Sequence, residues 1–162
     1  MSVNRYQPHV LVLPEDDANR QLANGFLLDL DLSTWRIQVL VEAGGWGHVL
    51  EHFLSDEAAD MDRFPGRFMI LLIDFDGRED RLQYAKGRIP PRLTERVFIL
   101  GTLTKPEALK ADFGDYETIG LRMARDCREE TNETWGHRLL RHNTSELDRL
   151  RVKVRPILFP SI

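Results

Sequence analysis

Two aspartates one residue apart, Asp74 and Asp76, close the apolar run Met69-Ile70-Leu71-Leu72-Ile73, and Gly77 follows them. A carboxylate pair of this kind suits a hard divalent cation. Mg²⁺ takes oxygen ligands in an octahedral shell and keeps several of its waters, so one or two protein carboxylates suffice. Asp74 and Asp76 share a parity on an extended chain, which predicts that both side chains face the same way. The pattern recurs near the start of the chain, where Val10-Leu11-Val12-Leu13-Pro14 leads into Glu15-Asp16-Asp17. Glu15, on a neighbouring strand, would complete a site for Mg²⁺ or Mn²⁺, or act as a general base. A cation held there would polarise a phosphodiester and stabilise the departing oxygen. Lys105 or Arg20 would then offset charge in the transition state. A plainer reading stands beside this one. Asp-Phe-Asp-Gly is good turn chemistry after a strand, and Asp16 or Asp17 suits the cap of a helix.

An unbroken apolar run before such acids reads as a strand buried on both faces, as in a parallel sheet. Ligands in open sheets of that kind bind outside the carboxyl ends of the strands. Hydrophobic patterning predicts strands at 9–13, 35–41, 67–74 and 96–101. It predicts helices at 17–30, where Leu22, Phe26 and Leu30 are spaced by four, at 46–59, and over a short stretch at 79–87. Further helices are expected at 107–113 and 116–131, then a helical tail at 137–140 and 144–150. Residues 152–159 read as a last strand or an extended packing segment. The alternation predicts parallel strands with right-handed crossovers. The expected fold is therefore a three-layer α/β domain with a mostly parallel central sheet of about four strands. Helices cover both faces, and a helical C-terminal extension follows. One domain spans 1–162, with a core at 9–110 and the extension at 111–162. Val10, Val12, Ile70, Leu72, Val97 and Ile99 are the expected centre of that core.

Composition narrows the function classes. The chain has 162 residues, 42% apolar and 30% charged, with a formal charge of −4. That balance fits a globular domain and gives no signature of a dedicated nucleic-acid binder. Cys127 is the only cysteine, so there is no internal disulfide and no Cys/His zinc pattern. The start of the chain lacks the apolar core of a signal peptide, and no apolar run is long enough to span a bilayer. A cytoplasmic protein without membrane contact is expected. Near the C-terminus, Arg138, Arg141, Arg149, Arg151, Lys153 and Arg155 alternate with apolar residues, either as a solvated face or as a phosphate-backbone surface. His142 is a candidate general acid or phosphate contact. Asn143 or Thr144 is the expected cap of the next helix.

The element order, with acids after the first and third strands, resembles the TOPRIM domain shared by topoisomerases, bacterial primases and OLD-family nucleases. That family places a glutamate after its first strand and Asp-x-Asp after its third; Glu15 and Asp74-Phe75-Asp76 match in type, order and context. The resemblance spans residues 9–110, and the whole chain is similar to small stand-alone bacterial TOPRIM-like proteins. It implies Mg²⁺-dependent, nuclease-like processing of nucleic acid, or a non-catalytic scaffold that binds nucleic acid or a separate protein partner. Two departures are visible: Asp16 stands where the family often has glycine, and the family's assisting basic residue has its nearest counterpart in Arg20. Nuclease-type relatives carry an acid near Glu107, which makes it a further metal-ligand candidate; the first turn of a helix explains it equally. Glu15-Asp16-Asp17 and Thr104-Lys105-Pro106 also resemble parts of a response-regulator receiver. There, however, the threonine and lysine lie on separate strands, and a Met-Pro pair expected after the acceptor is absent here.

Overall fold

A computed structural model describes residues 2–160. Four strands, β1 (His9–Pro14), β2 (Ile37–Val39), β3 (Arg67–Leu72) and β4 (Val97–Leu100), form one parallel sheet in the order β2-β1-β3-β4. Val10 sits opposite Ile37 on one side and Phe68 on the other, and Met69 sits opposite Val97. The strands are joined by α1 (Asp17–Phe26), α2 (Trp46–His52), α3 (Ala58–Arg63) and α4 (Asp80–Arg88). A π-helical turn, Phe53–Glu57, links α2 to α3 without a break. Beyond β4 come α5 (Lys110–Phe113), α6 (Tyr116–Glu129), α7 (Thr144–Lys153) and α8 (Arg155–Leu158).

Successive strand residues point to opposite faces, and both faces are covered, which is why the strands read as continuous apolar runs. Val10, Val12, Ile70, Phe98 and Leu100 pack against Leu22 of α1, Met123 of α6 and Leu147 of α7. Leu11, Leu13, Met69, Leu71 and Ile99 face the other way, onto Val49 of α2, Met61 of α3 and Ala85 of α4. The fold is thus the expected three-layer α/β arrangement. The strand order reverses between β1 and β3, and a crevice opens at such a switch point outside the carboxyl ends. Glu15 and Asp74 follow those two strands.

The C-terminal residues complete this core. A Cβ on Gly25 would collide with the Glu117 carbonyl, and one on Gly120 with the Leu22 carbonyl, so α1 and α6 cross with their backbones nearly touching. The α7 segment closes the sheet at β4, where unpaired strand groups would otherwise be exposed. Asn143 Oδ1 accepts from the Gly101 N–H (3.1 Å), and Asn143 Nδ2 donates to the Gly101 carbonyl (2.9 Å). Two positions back along the strand, the Ile99 N–H donates to Glu146 Oε1 at 3.1 Å. Arg149 reaches the carbonyls of Thr94 and Val97. Residues 143, 146 and 149 lie along one helical face, and 97, 99 and 101 present their groups to one edge. The helix therefore replaces a fifth strand with side chains. Glu146 is fully buried, its charge met by Arg149 and Lys86.

Several boundaries differ from those expected. α1 stops at Phe26, and Leu30, predicted on its apolar face, is fully exposed. β2 keeps only three residues, with a 3₁₀ turn at Thr34–Arg36 before it. Residues 137–140 form turns, and a 3₁₀ turn, Arg141–Asn143, precedes α7. Residues 152–159 are not a strand. The chain stays helical there because Arg151 and Arg155 reach back to carbonyls around the end of α6, those of Thr131, Cys127 and Arg128. Leu72, expected in the core centre, is only partly buried, whereas Leu71 beside it is fully enclosed. Leu71→Ala should therefore lower unfolding stability by about 2–5 kcal/mol, the range for a cavity in a tight core. Urea denaturation reads it; a shift within experimental error would mean that β3 is not the central strand.

Candidate metal centre

Each acidic residue at the switch point is set by a different element. The Glu15 N–H donates to the Leu72 carbonyl (2.8 Å), extending β1 along β3. The Glu15 carbonyl accepts from Gly44 (2.8 Å) and Gly45 (3.2 Å). Both glycines have positive φ, 91° and 145°, a backbone that side chains rarely adopt, so this loop needs glycine to close over Glu15. The Glu15 side chain turns toward β3, where its Oε2 accepts from the Asp74 N–H at 2.6 Å. Asp16 caps α1, its Oδ1 accepting from the Asn19 N–H at 2.9 Å. Asp74 Oδ1 accepts from Asn19 Nδ2 at 3.2 Å and lies 3.2 Å from Thr102 Oγ1, whose one proton is shared with the closer Thr104 carbonyl. Thr102 follows β4, so three segments of chain, the end of β1, the start of α1 and the end of β4, converge on Asp74.

Glu15, Asp16 and Asp74 each place a carboxylate oxygen within 4.8 Å of the others. Burial raises Glu15 to about 7; the charges of Asp74, Asp16 and Asp76 add to the rise, and the Asp74 N–H opposes it. Burial likewise raises Asp74 to about 6, with the Asn19 and Thr102 hydrogen bonds opposing and Asp16 and Asp76 adding. Among the described residues, no lysine, arginine or histidine forms an ion pair with the group. Arg20 pairs with Asp17 (3.2 Å) and Glu42 (3.1 Å).

Asn19 is wholly buried, and its Nδ2 also donates to Asp16 Oδ1 at 2.9 Å. Its Oδ1 is buried with no hydrogen-bond partner. The donor set, carboxylate oxygens with no sulfur or imidazole, fits Mg²⁺ or Mn²⁺.

The structure brings Glu15 and Asp74 together as the sequence predicts, and corrects the third acid. Asp76 is not in the group whose oxygens meet. Its φ is +50°, so the chain leaves the extended path there. Its Oδ2 instead accepts from Arg81 Nη1 at 2.8 Å, and its side chain is 54% exposed. Asp16, read from the sequence as a cap, is both a cap and the third carboxylate. Glu107 lies exposed in the short Pro106–Leu109 turn, outside the three-carboxylate group. Lys105 is exposed and forms no ion pair among the described residues. Both ring nitrogens of His142 are buried without a partner, and the ring packs edge-on against Phe75 at 5.0 Å. Arg149, Arg151 and Arg155 serve the fold, which removes half of the proposed C-terminal basic surface. Asn143 precedes α7 without capping it, because its side chain is spent on Gly101.

Sequence reasoning missed Asn19, Thr102 and Arg81. Asn19 lay three residues after a recognised cap, and Thr102 followed a recognised strand; those were the available signals. Together, fold and site define a doubly wound α/β protein with an acidic cluster at its switch point. No protein-family model, curated protein or solved structure matches the chain.

A pH dependence follows from the raised acids. Protonation of Glu15 and Asp74 favours the folded state at low pH, and this contribution disappears as pH rises through about 6 and about 7. The protein without added metal should therefore lose stability from this source by pH 8. Mg²⁺ should restore it, by about 2.7 kcal/mol at a hundredfold excess over its dissociation constant. The gain should shrink at pH 6, and Asp74→Asn should remove it while stabilising the metal-free protein at pH 8. Thermal melts with and without Mg²⁺ measure this; a gain that survives Asp74→Asn would contradict it.

Proposed function

We propose that this chain is a divalent-cation-dependent protein that processes phosphodiesters in nucleic acid, with the Glu15–Asp16–Asp74 pocket as its centre. The observation that carries the reading is the convergence of three under-neutralised carboxylates at the switch point. Mg²⁺ or Mn²⁺ bound there would supply Lewis-acid stabilisation of charge on phosphate and leaving oxygens. Asp16 and Asp74 are the holding ligands. Asn19 and Thr102 keep Asp74 in place. Glu15 is the candidate general base. Its Oε2 is engaged by the Asp74 N–H, so Oε1 is the oxygen left to ligate or to accept a proton. The TOPRIM-like motif order supports nucleic acid as the substrate class, with a separate protein supplying further contacts. No helix among the described residues is long and apolar enough to cross a membrane.

A second reading, a receiver-like domain in which Asp74 itself is modified, gains one observation: the Thr102 hydroxyl on Asp74 Oδ1. It lacks a lysine paired with that carboxylate, which weighs against it. The deciding assay supplies Mg²⁺ or Mn²⁺ with single-stranded, double-stranded and supercoiled substrates. Purified protein should nick or cleave one of them, and EDTA should stop it. Glu15→Gln should reduce turnover more than substrate binding, because a base contributes mainly in the transition state. Cation binding without cleavage of any substrate would instead favour a non-catalytic TOPRIM-like scaffold.

A further inference from the structure

We propose that Arg81 anchors a phosphate oxygen of the substrate beside the carboxylate pocket, using the edge of its guanidinium that the protein leaves free. This rests on the cation reading of that pocket and deepens it.

Arg81 opens the first turn of α4, and its side chain is only 8% exposed. One nitrogen carries its contacts with the loop after β3: Nη1 donates to the Asp74 carbonyl (2.9 Å) and to Asp76 Oδ2 (2.8 Å). Nε and Nη2 make no hydrogen bond with any described residue. They are also absent from the buried nitrogens that lack partners, a group that does include Arg20 Nε and Arg151 Nε. Nε and Nη2 are therefore not fully sealed from solvent, although the side chain as a whole is enclosed.

That edge is also rigid. The guanidinium lies 4.3 Å from the ring centroid of Trp46, and Trp46 packs edge-on against Tyr84 at 5.7 Å. A planar fork fixed by stacking loses little freedom when it binds, and its geometry matches two oxygens of a phosphate. It is anchored to the backbone of Asp74, a member of the carboxylate group. A phosphate held by a cation there carries the charge opposite to that edge, which the Nη1–Asp74 carbonyl bond ties to the same loop.

Asp76 is the opposing charge. Its carboxylate is 54% exposed and pairs with Nη1, the nitrogen that the phosphate does not use. A phosphate on the Nε–Nη2 edge leaves both Nη1 contacts in place but meets the negative charge of Asp76 nearby. In this account the second acid of Asp74-Phe75-Asp76 restrains the arginine and is not a ligand.

The test uses inorganic phosphate as the probe and Mn²⁺ as the cation. Mn²⁺ affinity is measured by calorimetry, and phosphate binding by ³¹P line broadening with protein in excess over Mn²⁺. Wild-type protein should bind Mn²⁺ and broaden the phosphate line. Arg81→Gln should keep its Mn²⁺ affinity and need roughly tenfold more phosphate, the scale of losing a charge-assisted pair. Arg81→Lys should fall between the two, since it keeps the charge and loses the fork. Asp76→Asn should broaden at lower phosphate than wild type, because the opposing charge beside the guanidinium is gone. Should Arg81→Gln fail to fold, Asp76→Asn decides: an unchanged phosphate response overturns the proposal. Wild-type broadening by folded, Mn²⁺-binding Arg81→Gln overturns it too, as does Mn²⁺ binding by wild type without any phosphate response. Absence of Mn²⁺ binding by wild type is a different failure, which removes the cation reading and this proposal together.

Discussion

The mutual repulsion of Glu15, Asp16 and Asp74 is the constraint around which the rest of this molecule is arranged. Oxygens within 4.8 Å of one another, all ionised, repel by on the order of 3–4 kcal/mol per pair at the effective dielectric of partly buried sites. Unfolded chains do not bear that cost. The fold must hold the group together, and it does so with short, directed contacts. The Asp74 N–H binds Glu15, the start of α1 binds Asp16, and Asn19 and Thr102 bind Asp74. Each contact lowers the carboxylate charge density a little. None supplies a full positive charge, which leaves the group suited to a dication.

Distant packing keeps those contacts in place. Asn19 can reach Asp74 only while α1 lies tightly on the sheet, and the glycine crossing of Gly25 with Gly120 presses α6 onto α1 from outside. Thr102 depends on β4, an edge strand whose outer groups are occupied by Asn143, Glu146 and Arg149. The C-terminal third is therefore part of the machinery that positions the pocket. Its arginines, alternating with apolar residues, are spent on carbonyls at the end of α6 and along β4. A phosphate-contact role for the segment would rest on Arg138, Arg141 and Lys153 alone.

The parts of this arrangement that follow local rules were legible in the sequence. Apolar runs gave β1, β3 and β4, spacing by four gave α1, and the strand ends gave Glu15 and Asp74. What escaped depends on long-range pairing or on the sign of one dihedral angle. Parity put Asp76 beside Asp74, but a left-handed residue breaks the alternation, and an arginine five positions later stabilises the break. No local pattern marks Asn143, Glu146 and Arg149 as a substitute strand, because their partners are found only once the chain is folded. Leu30 fits a helical stripe and is nevertheless exposed, since α1 ends one turn early. Residues 152–159 had the composition of a strand and became helix because Arg151 and Arg155 met carbonyls from another helix.

The central claim is that the cation site is built from Glu15, Asp16 and Asp74, with Asp76 outside it. Crystals grown with Mn²⁺ and measured for anomalous scattering test this most directly. The account requires one anomalous peak in coordination range of the Glu15, Asp16 and Asp74 carboxylates, with Asp76 still turned toward Arg81. A peak held by Asp76 in place of Asp16, or saturating Mn²⁺ with no peak in the pocket, would contradict it.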